Sequence, residues 1–429
     1  MKNKKKIIDR LLPVAALILA VSVLLSSCSL SSAVGALGGK DSGTGKTPTG
    51  DTVVNNNQIT VNSDGDGVEY AAAKGLRSAV SVYSSFKVTT GGNTPWNPRP
   101  TTQTYYSTGA GIVYKNDGGD AFIVTNFHVV HLDGSDSADG VSEQIYIYLY
   151  GMESEEYAIP ATYVGGSAYY DIAVLRVEDS ELLASAVSSG SVAAVSVADS
   201  DTLVPGMATV AIGNPSSSGA DLGGISVTKG VVSVESEYIV MNAIDGSGEV
   251  SFRVIRTDTA VNSGNSGGGL FNSRGELIGI VNAKLNSSSY ESIGYAIPSD
   301  VVTAVADNII DNCFGAECRT VMRAVMGVAV EVSGMHTVYD PDTALITRVE
   351  EISAGEITAD GPANGLIKTG DVIKTITVGD KTVAVTRRHH VFDTMLEIRA
   401  GDTVTVTVER DGREIPVEIT FTAEDLTAN

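Results

Sequence analysis

The chain has 429 residues, of which 43% are hydrophobic. That composition is sufficient for globular packing, and the length exceeds what a single core normally supports, so we expect two or more domains. The formal net charge is −22 at pH 7. An acidic surface repels nucleic acid and anionic lipid, which argues against either as a partner, and we interpret the acidity as a contribution to solubility.

Residues 1–27 have the pattern of a lipoprotein-type signal peptide. A basic segment from Lys2 to Arg10 precedes an apolar run over 11–25 that is too short to favour a permanent membrane span. The run ends in Leu-Ser-Ser followed by Cys28, which resembles a bacterial lipobox. We therefore expect cleavage before Cys28, lipidation of its thiol and anchoring to the outer face of a bacterial membrane. The alternative is an ordinary signal peptide with an incidental cysteine.

Residues 28–67 are rich in Gly, Ser, Thr, Asn and Asp, and this composition predicts a disordered tether. The tether contains a Gly-Thr-Gly-Lys-Thr segment over 43–47 that partly matches a phosphate-binding loop. Such a loop needs a glycine where this chain has Lys40, and it follows an apolar strand that is missing here. Nucleotide binding is therefore excluded, and the sequence indicates no cofactor.

Residues 68–310 contain many short apolar segments separated by Gly, Asn and Asp turns. A short helix is predicted over 69–76, and a longer one over 300–312 where valine and isoleucine recur at helical spacing. The strands fall into two groups, which end near residues 177 and 297. This pattern predicts an all-β sandwich or barrel, and periodicity alone does not distinguish between the two.

Residues 311–324 are predicted to form a linker that carries Cys313 and Cys318. An exported compartment permits a disulfide between them, and two reduced thiols are the alternative. A metal site is disfavoured, because two cysteines without a nearby histidine supply half of a tetrahedral site. From 325 to 425 the pattern changes to strand–turn–helix–strand, with a helix over 387–399 whose apolar stripe we interpret as core.

A glycine-rich loop over 262–270 contains Ser266 in the segment Gly-Asn-Ser-Gly-Gly. Alone this is a weak signal, because Gly/Ser/Asn clusters are usually plain loops. However, His128 follows an apolar strand upstream and Asp171 precedes another. A nucleophile, a base and an orienting acid are therefore all available, in the order His, Asp, Ser.

These three segments, together with the motifs around them, resemble the HtrA (Deg) family of trypsin-like serine proteases. The resemblance covers about residues 68–425 and extends over several ordered motifs. It implies a mainly β protein with two six-stranded antiparallel barrels over 68–310. It also implies an α+β PDZ domain over 325–425, where Met-Gly-Val at 326–328 is one of the matching motifs.

The resemblance also implies the roles of the site residues. Ser266 would be the nucleophile, His128 the general base, and Asp171 the residue that orients the imidazole. The backbone N–H groups of Gly264 and Ser266 would form the oxyanion hole. His131 is a weaker candidate because the motif places the base at position 128. The other histidines fall in the PDZ region, and His389 and His390 are expected to diverge on a helix and to make a poor metal pair, so no metal is expected.

Two binding sites follow from the same resemblance. Ala260 would form a small apolar floor of the specificity pocket, and Lys284 would replace an aliphatic wall residue. We favour a Lys284 side chain that extends to water and leaves an aliphatic preference, although an inward ammonium would favour acidic substrates. In the PDZ groove, the amides around Met326, Gly327 and Val328 would receive the carboxylate of a C-terminal peptide. The alternative is a docking domain without a peptide ligand.

The sequence thus predicts a membrane-anchored serine endopeptidase that degrades or processes unfolded or mislocalised exported proteins. The alternative is a non-enzymatic peptide-binding or chaperone module on a protease fold, but the presence of all three triad residues favours the enzyme. By resemblance, we expect a homotrimer or a higher homo-oligomer.

Overall fold

A computed structural model describes residues 65–91, 99–215, 223–283, 293–313 and 320–428. The predicted signal peptide, the predicted lipidation site Cys28 and nearly all of the predicted tether lie outside these described residues, as do Lys284 and Cys318. The disulfide between Cys313 and Cys318 therefore stays a prediction. Within the described ranges, no helix combines the length and apolarity needed to cross a lipid bilayer.

The first six strands close into a barrel in the order β1-β2-β3-β6-β5-β4. Its core contains fully buried aliphatic side chains, among them Ile112, Ile123 and Leu175. Gly111 in β2 leaves room for this packing, since a Cβ there would lie 2.8 Å from Ile123 Cγ2. The elements are α1 Val68–Leu76, β1 Ala79–Thr90, β2 Thr101–Asp117, β3 Asp120–Thr125, α2 Phe127–Val130, β4 Gln144–Leu149, β5 Ile159–Ser167, β6 Ile172–Val177 and α3 Glu181–Ser188.

The next six strands close into a second barrel in the order β10-β11-β12-β9-β8-β7. The structure thus resolves the choice that periodicity left open and confirms the predicted double barrel. The predicted helix over 300–312 is also confirmed, and it buries Val301, Val302, Val305 and Ile309. The elements are β7 Ala208–Gly213, β8 Ser226–Asn242, β9 Glu249–Thr257, β10 Gly269–Phe271, β11 Leu277–Val281, β12 Gly294–Pro298 and α4 Ser299–Cys313.

A C-terminal β-rich domain follows, with a sheet in the order β14-β15-β16-β18-β19 and β17 paired to β16. Its helix α5 buries Val391 and Met395, as expected for a core stripe. The elements are β13 Met322–Ala324, β14 Val328–Asp340, β15 Leu345–Ile357, β16 Val372–Val378, β17 Lys381–Ala384, α5 Arg388–Glu397, β18 Thr403–Arg410, β19 Arg413–Thr420 and β20 Leu426–Ala428.

The segment predicted as a linker is partly built into the fold. Residues 311–313 complete α4, and β13 pairs antiparallel with β20 at the other end of the domain. The buried amide of Asn308 in α4 forms two hydrogen bonds with Met322 of β13. Its Nδ2 donates to the Met322 carbonyl at 2.7 Å, and its Oδ1 accepts from the Met322 N–H at 2.9 Å. The partners of β13 lie far away in sequence, so local composition did not indicate them.

A buried charge network joins the second barrel to the C-terminal domain. Arg253 of β9 is 3% exposed. Its guanidinium lies 2.9 Å from Asp201 Oδ1 and 2.7 Å from Asp393 Oδ2 of α5, with Asp300 at 3.9 Å. A buried guanidinium is costly unless carboxylates compensate it, so these contacts favour one relative placement of α5 and β9.

The expectation that His389 and His390 diverge is wrong. Both imidazoles contact the two oxygens of Asp201, His389 Nε2 at 3.1 Å and His390 Nε2 at 3.3 Å. The Thr386 N–H donates to His390 Nδ1 at 3.2 Å, so in the neutral ring the proton resides on Nε2, the nitrogen that lies beside Asp201. That arrangement leaves His390 Nε2 no lone pair for a metal, and it favours a hydrogen-bonded cluster instead.

Burial is the largest single influence on the pKa values of His389, Asp393 and Asp201. Burial lowers the pKa of His389 to about 4, against its ordinary value of 6.5. Burial also raises the pKa of Asp393 to about 6, although Arg253 acts in the opposite direction. For Asp201, burial is outweighed by the hydrogen bond with His389 and the charge of Arg253, which hold its pKa well below its usual range.

These shifts predict how His389 contributes to stability. Because the pKa of His389 is lower in the folded protein than in the unfolded chain, the unfolded chain binds more protons between pH 6.5 and 4. The free energy of unfolding therefore decreases at His389 as pH falls through that window. Asp393 acts in the opposite direction, so the comparison needs a variant. As pH falls from 7 to 4, we expect the free energy of unfolding of His389→Gln to rise by roughly 3 kcal/mol relative to that of the wild type. Urea unfolding at several pH values measures this.

His336→Gln is the matched control, since His336 is exposed on β14. Its stability should follow the wild type at every pH. A His389→Gln profile that is parallel to the wild-type profile would contradict the burial of a neutral imidazole.

Candidate active site

The two barrels each contribute to one cluster of polar residues. His128 lies in α2 immediately after β3, and Asp171 lies in the turn between β5 and β6, so both belong to the first barrel. Ser266 lies in the loop between β9 and β10 of the second barrel. The cluster is therefore located where the barrels meet.

Asp171 contacts His128 through both carboxylate oxygens, one at the imidazole and one at the backbone N–H. His128 Nδ1 lies 2.6 Å from Asp171 Oδ2, and the backbone N–H of His128 donates to Oδ1 at 2.9 Å. The Asp171 side chain is 1% exposed, whereas that of His128 is 17% exposed. This geometry places the proton of a neutral imidazole on Nδ1 and leaves Nε2 as the basic nitrogen.

The backbone of Asp171 has a φ of 53°, in the left-handed region that few residues other than glycine adopt. The buried Asn126 side chain supports this conformation by donating to the Asp171 carbonyl at 2.8 Å. Aspartate tolerates the left-handed region better than most residues. The turn therefore directs the carboxylate towards His128 at a modest cost in backbone strain.

Asn282 is a site residue that sequence reasoning missed. It is fully buried, and its Nδ2 donates to Asp171 Oδ2 at 2.7 Å. The same oxygen receives His128 Nδ1, so Asn282 restricts the direction of the carboxylate. The available signal was an asparagine directly after the buried apolar strand β11, where an amide needs a polar partner.

The next residue along the chain contacts the serine. The N–H of Ala283 donates to Ser266 Oγ at 3.2 Å, and the Ser266 carbonyl accepts from Ala110 of β2 at 2.8 Å. Within the described ranges, Ser266 Oγ has this partner and makes no hydrogen bond to His128. Nucleophile–base bonds are often long or poorly aligned without substrate.

The glycines around Ser266 are required by close backbone approach. Gly264 and Gly267 have φ values of 92° and 84°. A Cβ at Gly267 would overlap the Ala110 carbonyl oxygen, and one at Gly268 would overlap the Ile212 carbonyl oxygen. In the described part of the chain, the N–H groups of Gly264 and Ser266 donate to no protein acceptor. Both donors are thus available to an oxyanion.

The predicted specificity pocket is described in part. Ala260 is exposed, and its carbonyl accepts from Thr228 Oγ1 at 3.0 Å and from Asn265 Nδ2 at 3.5 Å. The latter contact links Ala260 to the residue that precedes Ser266. Lys284 lies outside the described residues, so its orientation stays an open prediction.

The competing histidine has a different environment. His131 stacks on Phe127 with ring centroids 4.7 Å apart, and its Nε2 lies 3.9 Å from Asp133. The remaining histidines lie in the C-terminal domain, where His389 and His390 contact Asp201. The structure therefore brings His128, and none of the others, to Asp171.

The C-terminal domain has a groove of about 350 Å³ between the start of β14 and helix α5. Met326, Gly327 and Val328 line one wall, and Val391 and Met395 line the other. Strand β14 is at the edge of its sheet. Among the described residues, the N–H groups of Met326 and Gly327 have no protein acceptor. The groove thus combines apolar walls with backbone donors at one end.

Comparisons with known proteins identify the family. A model of the trypsin-like peptidase domain matches residues 109–280. The serine protease Do-like HtrA of Lactococcus lactis subsp. cremoris is 31% identical over 400 residues, which cover 88% of each chain. This chain belongs to the HtrA family. It is therefore a serine endopeptidase with a trypsin-like fold, as its sequence predicted.

Two further proteins are similar to this chain. The serine endoprotease DegS of Escherichia coli is 27% identical over 319 residues, which cover 73% of this chain and 76% of DegS. A solved structure of the HtrA-type protease AlgW with a decapeptide is 24% identical and covers 85% of this chain and 99% of AlgW, with a TM-score of 0.49. The assignment itself rests on the Lactococcus relative.

The role of Asn282 is testable in the intact enzyme. Asn282→Leu preserves volume but removes the donor to Asp171 Oδ2. A hydrogen bond to a charged group contributes roughly 1.5–3 kcal/mol, so we expect kcat to fall at least about tenfold with little change in KM. Steady-state hydrolysis of a peptide substrate measures both constants.

Asn272→Leu is the matched control, because Asn272 is similarly buried but bonds within its own turn to Glu276. It should lower stability and leave kcat of the folded enzyme unchanged. Equal loss of kcat in both variants would show that Asn282 acts only through stability.

Proposed function

We propose that this HtrA protease cleaves peptide bonds by an acyl-enzyme mechanism in which Ser266 attacks, His128 transfers the proton and Asp171 orients the imidazole. The observation that carries the proposal is the pair of hydrogen bonds between His128 and Asp171. They leave Nε2 as the basic nitrogen of an imidazole in the same cluster as Ser266. No other described histidine contacts a carboxylate next to a glycine-flanked serine.

The proposed reaction has two stages. Ser266 Oγ attacks the scissile carbonyl as its proton passes to His128 Nε2, and the N–H groups of Gly264 and Ser266 stabilise the resulting oxyanion. Collapse of the tetrahedral intermediate transfers the proton to the leaving amine. Water then enters, His128 accepts its proton, and the acyl-enzyme is hydrolysed. Asp171 stabilises the imidazolium at both stages.

The nucleophile is tested by a pair of serine substitutions in the same loop. We expect Ser266→Ala to reduce degradation of unfolded casein by several orders of magnitude, because the chain then lacks the attacking oxygen. Ser263→Ala should retain activity, since Ser263 is exposed three residues away. Degradation is followed by electrophoresis of the purified proteins.

The same experiment addresses the alternative function. If Ser266→Ala and the wild type both suppress aggregation of an unfolded protein, and neither cleaves it, the chain is a binding module on a protease fold. Cleavage by a clean Ser266→Ala preparation would contradict the assignment of the nucleophile.

We further propose that the C-terminal domain is a PDZ domain and that its groove binds the C-terminus of a peptide. The free amides of Met326 and Gly327 support this proposal, because such donors suit a terminal carboxylate. The unpaired edge of β14 could receive the peptide as an additional strand. The apolar walls favour an apolar last residue.

This proposal predicts a strict requirement for a free carboxylate. A peptide with an apolar C-terminal residue should bind at least about tenfold more tightly than the same peptide with a C-terminal amide, because the amide cannot form the charge-assisted bonds. Fluorescence anisotropy with the Ser266→Ala enzyme measures both affinities. Equal affinities would contradict carboxylate recognition in the groove.

The site of action is proposed from the sequence alone. We infer that the chain is exported and anchored through lipid on Cys28, and that it acts there on unfolded or mislocalised proteins. The lipobox-like segment before Cys28 supports this inference. The homotrimer or higher homo-oligomer also stays a prediction from family resemblance.

Cys28→Ser tests the anchor. The wild type should incorporate labelled palmitate and sediment with membranes, whereas Cys28→Ser should do neither, because a hydroxyl is not a substrate for the thioether-forming step. Cys318→Ser is the control and should behave as the wild type. Membrane association of Cys28→Ser at wild-type levels would show that another feature holds the chain.

A further inference from the structure

A second cavity of about 290 Å³ lies on the side of α5 that faces the protease, and both barrels and the C-terminal domain contribute to its lining. Its walls include Tyr169, Tyr238, Arg323, Arg388 and Phe392. Arg323 and Phe392 also line the adjacent peptide groove, whereas Tyr169 and Tyr238 do not. The HtrA assignment and the proposed peptide groove do not explain this concentration of aromatic and cationic side chains.

Both arginines are held against tyrosine rings. The guanidinium of Arg388 lies 4.8 Å from the centre of the Tyr238 ring, and that of Arg323 lies 6.0 Å from the centre of the Tyr169 ring. Cation–π contact orients each guanidinium and leaves its N–H donors available to a ligand.

The charge of this cavity is unusual for this chain. The protein has 51 acidic and 29 basic residues, so carboxylate partners are abundant. Nevertheless, across the described part of the chain, neither Arg323 nor Arg388 forms an ion pair with a carboxylate. Asp393, the acidic residue that lines the cavity, lies 2.7 Å from Arg253 and compensates that charge instead.

We propose that this cavity binds a small organic carboxylate. The two guanidinium groups would receive the carboxylate through charge-assisted hydrogen bonds, and the aromatic walls would pack against its apolar body. The volume is at the lower end for ligand sites, which limits the ligand to a compact molecule. Inorganic phosphate satisfies the charge but leaves the aromatic walls without contact, so it should bind more weakly.

Benzoate is a suitable probe, and benzamide is its neutral analogue of similar shape. Binding is measured by ligand-observed NMR and calorimetry on the full chain with Ser266→Ala, which prevents self-digestion. We expect benzoate to bind at least about tenfold more tightly than benzamide or phosphate. The double variant Arg323→Gln/Arg388→Gln should weaken benzoate at least about tenfold, because it removes both cations.

Arg274→Gln is the matched control. Arg274 is an exposed arginine that already pairs with Glu276 at 2.7 Å, so its loss changes net charge without changing the cavity. It should leave benzoate affinity unchanged. An equal effect of Arg274→Gln would attribute binding to overall charge and would overturn the proposed site, as would benzamide binding as tightly as benzoate.

Hydrogen exchange on the protein without arginine substitutions locates the ligand even if the double variant does not fold. Benzoate should slow exchange in peptides that contain Tyr169, Tyr238 and Arg388. Protection confined to residues 326–328 would place benzoate in the peptide groove and would overturn this proposal while supporting that groove. Absence of protection and of measurable benzoate binding would also overturn it.

Discussion

The buried carboxylate of Asp171 is the constraint on which the active site depends. A carboxylate taken out of water needs donors, and Asp171 obtains them from both barrels: His128 belongs to the first barrel, and Asn282 follows the last residue of β11 in the second. The same strand end supplies the Ala283 N–H that contacts Ser266. Misplacement of one barrel against the other would therefore disturb the acid, the base and the nucleophile together.

The local parts of this arrangement could be predicted from the sequence, because they depend on short-range patterns. The loop around Ser266 is recognisable from glycines that close backbone approach requires, and α4 from its helical spacing. The two-barrel arrangement came from family resemblance, since alternation alone permits a sandwich. Asn282 was not predicted, because its partner Asp171 is far away in sequence and asparagine has many surface roles.

The sequence did not predict the charge network around Arg253, and the reason is related. Helical geometry separates the directions of adjacent residues, yet Asp201 has two oxygens, and one lies beside His389 while the other lies beside His390. The position of that carboxylate depends on how the C-terminal domain rests on the second barrel, which a linear pattern does not encode. Burial of these ionisable groups costs free energy, and their mutual contacts favour one orientation of the C-terminal domain on the second barrel.

The pairing of β13 with β20 brings the two ends of the C-terminal domain together beside α4. A domain whose ends are adjacent can be removed or exchanged by one recombination event without a change in the path of the remaining chain. The barrels can therefore acquire a different appended module with few changes to themselves. A replacement module would have to supply a new partner for Arg253 in place of Asp393, and one for Asn308 in place of β13.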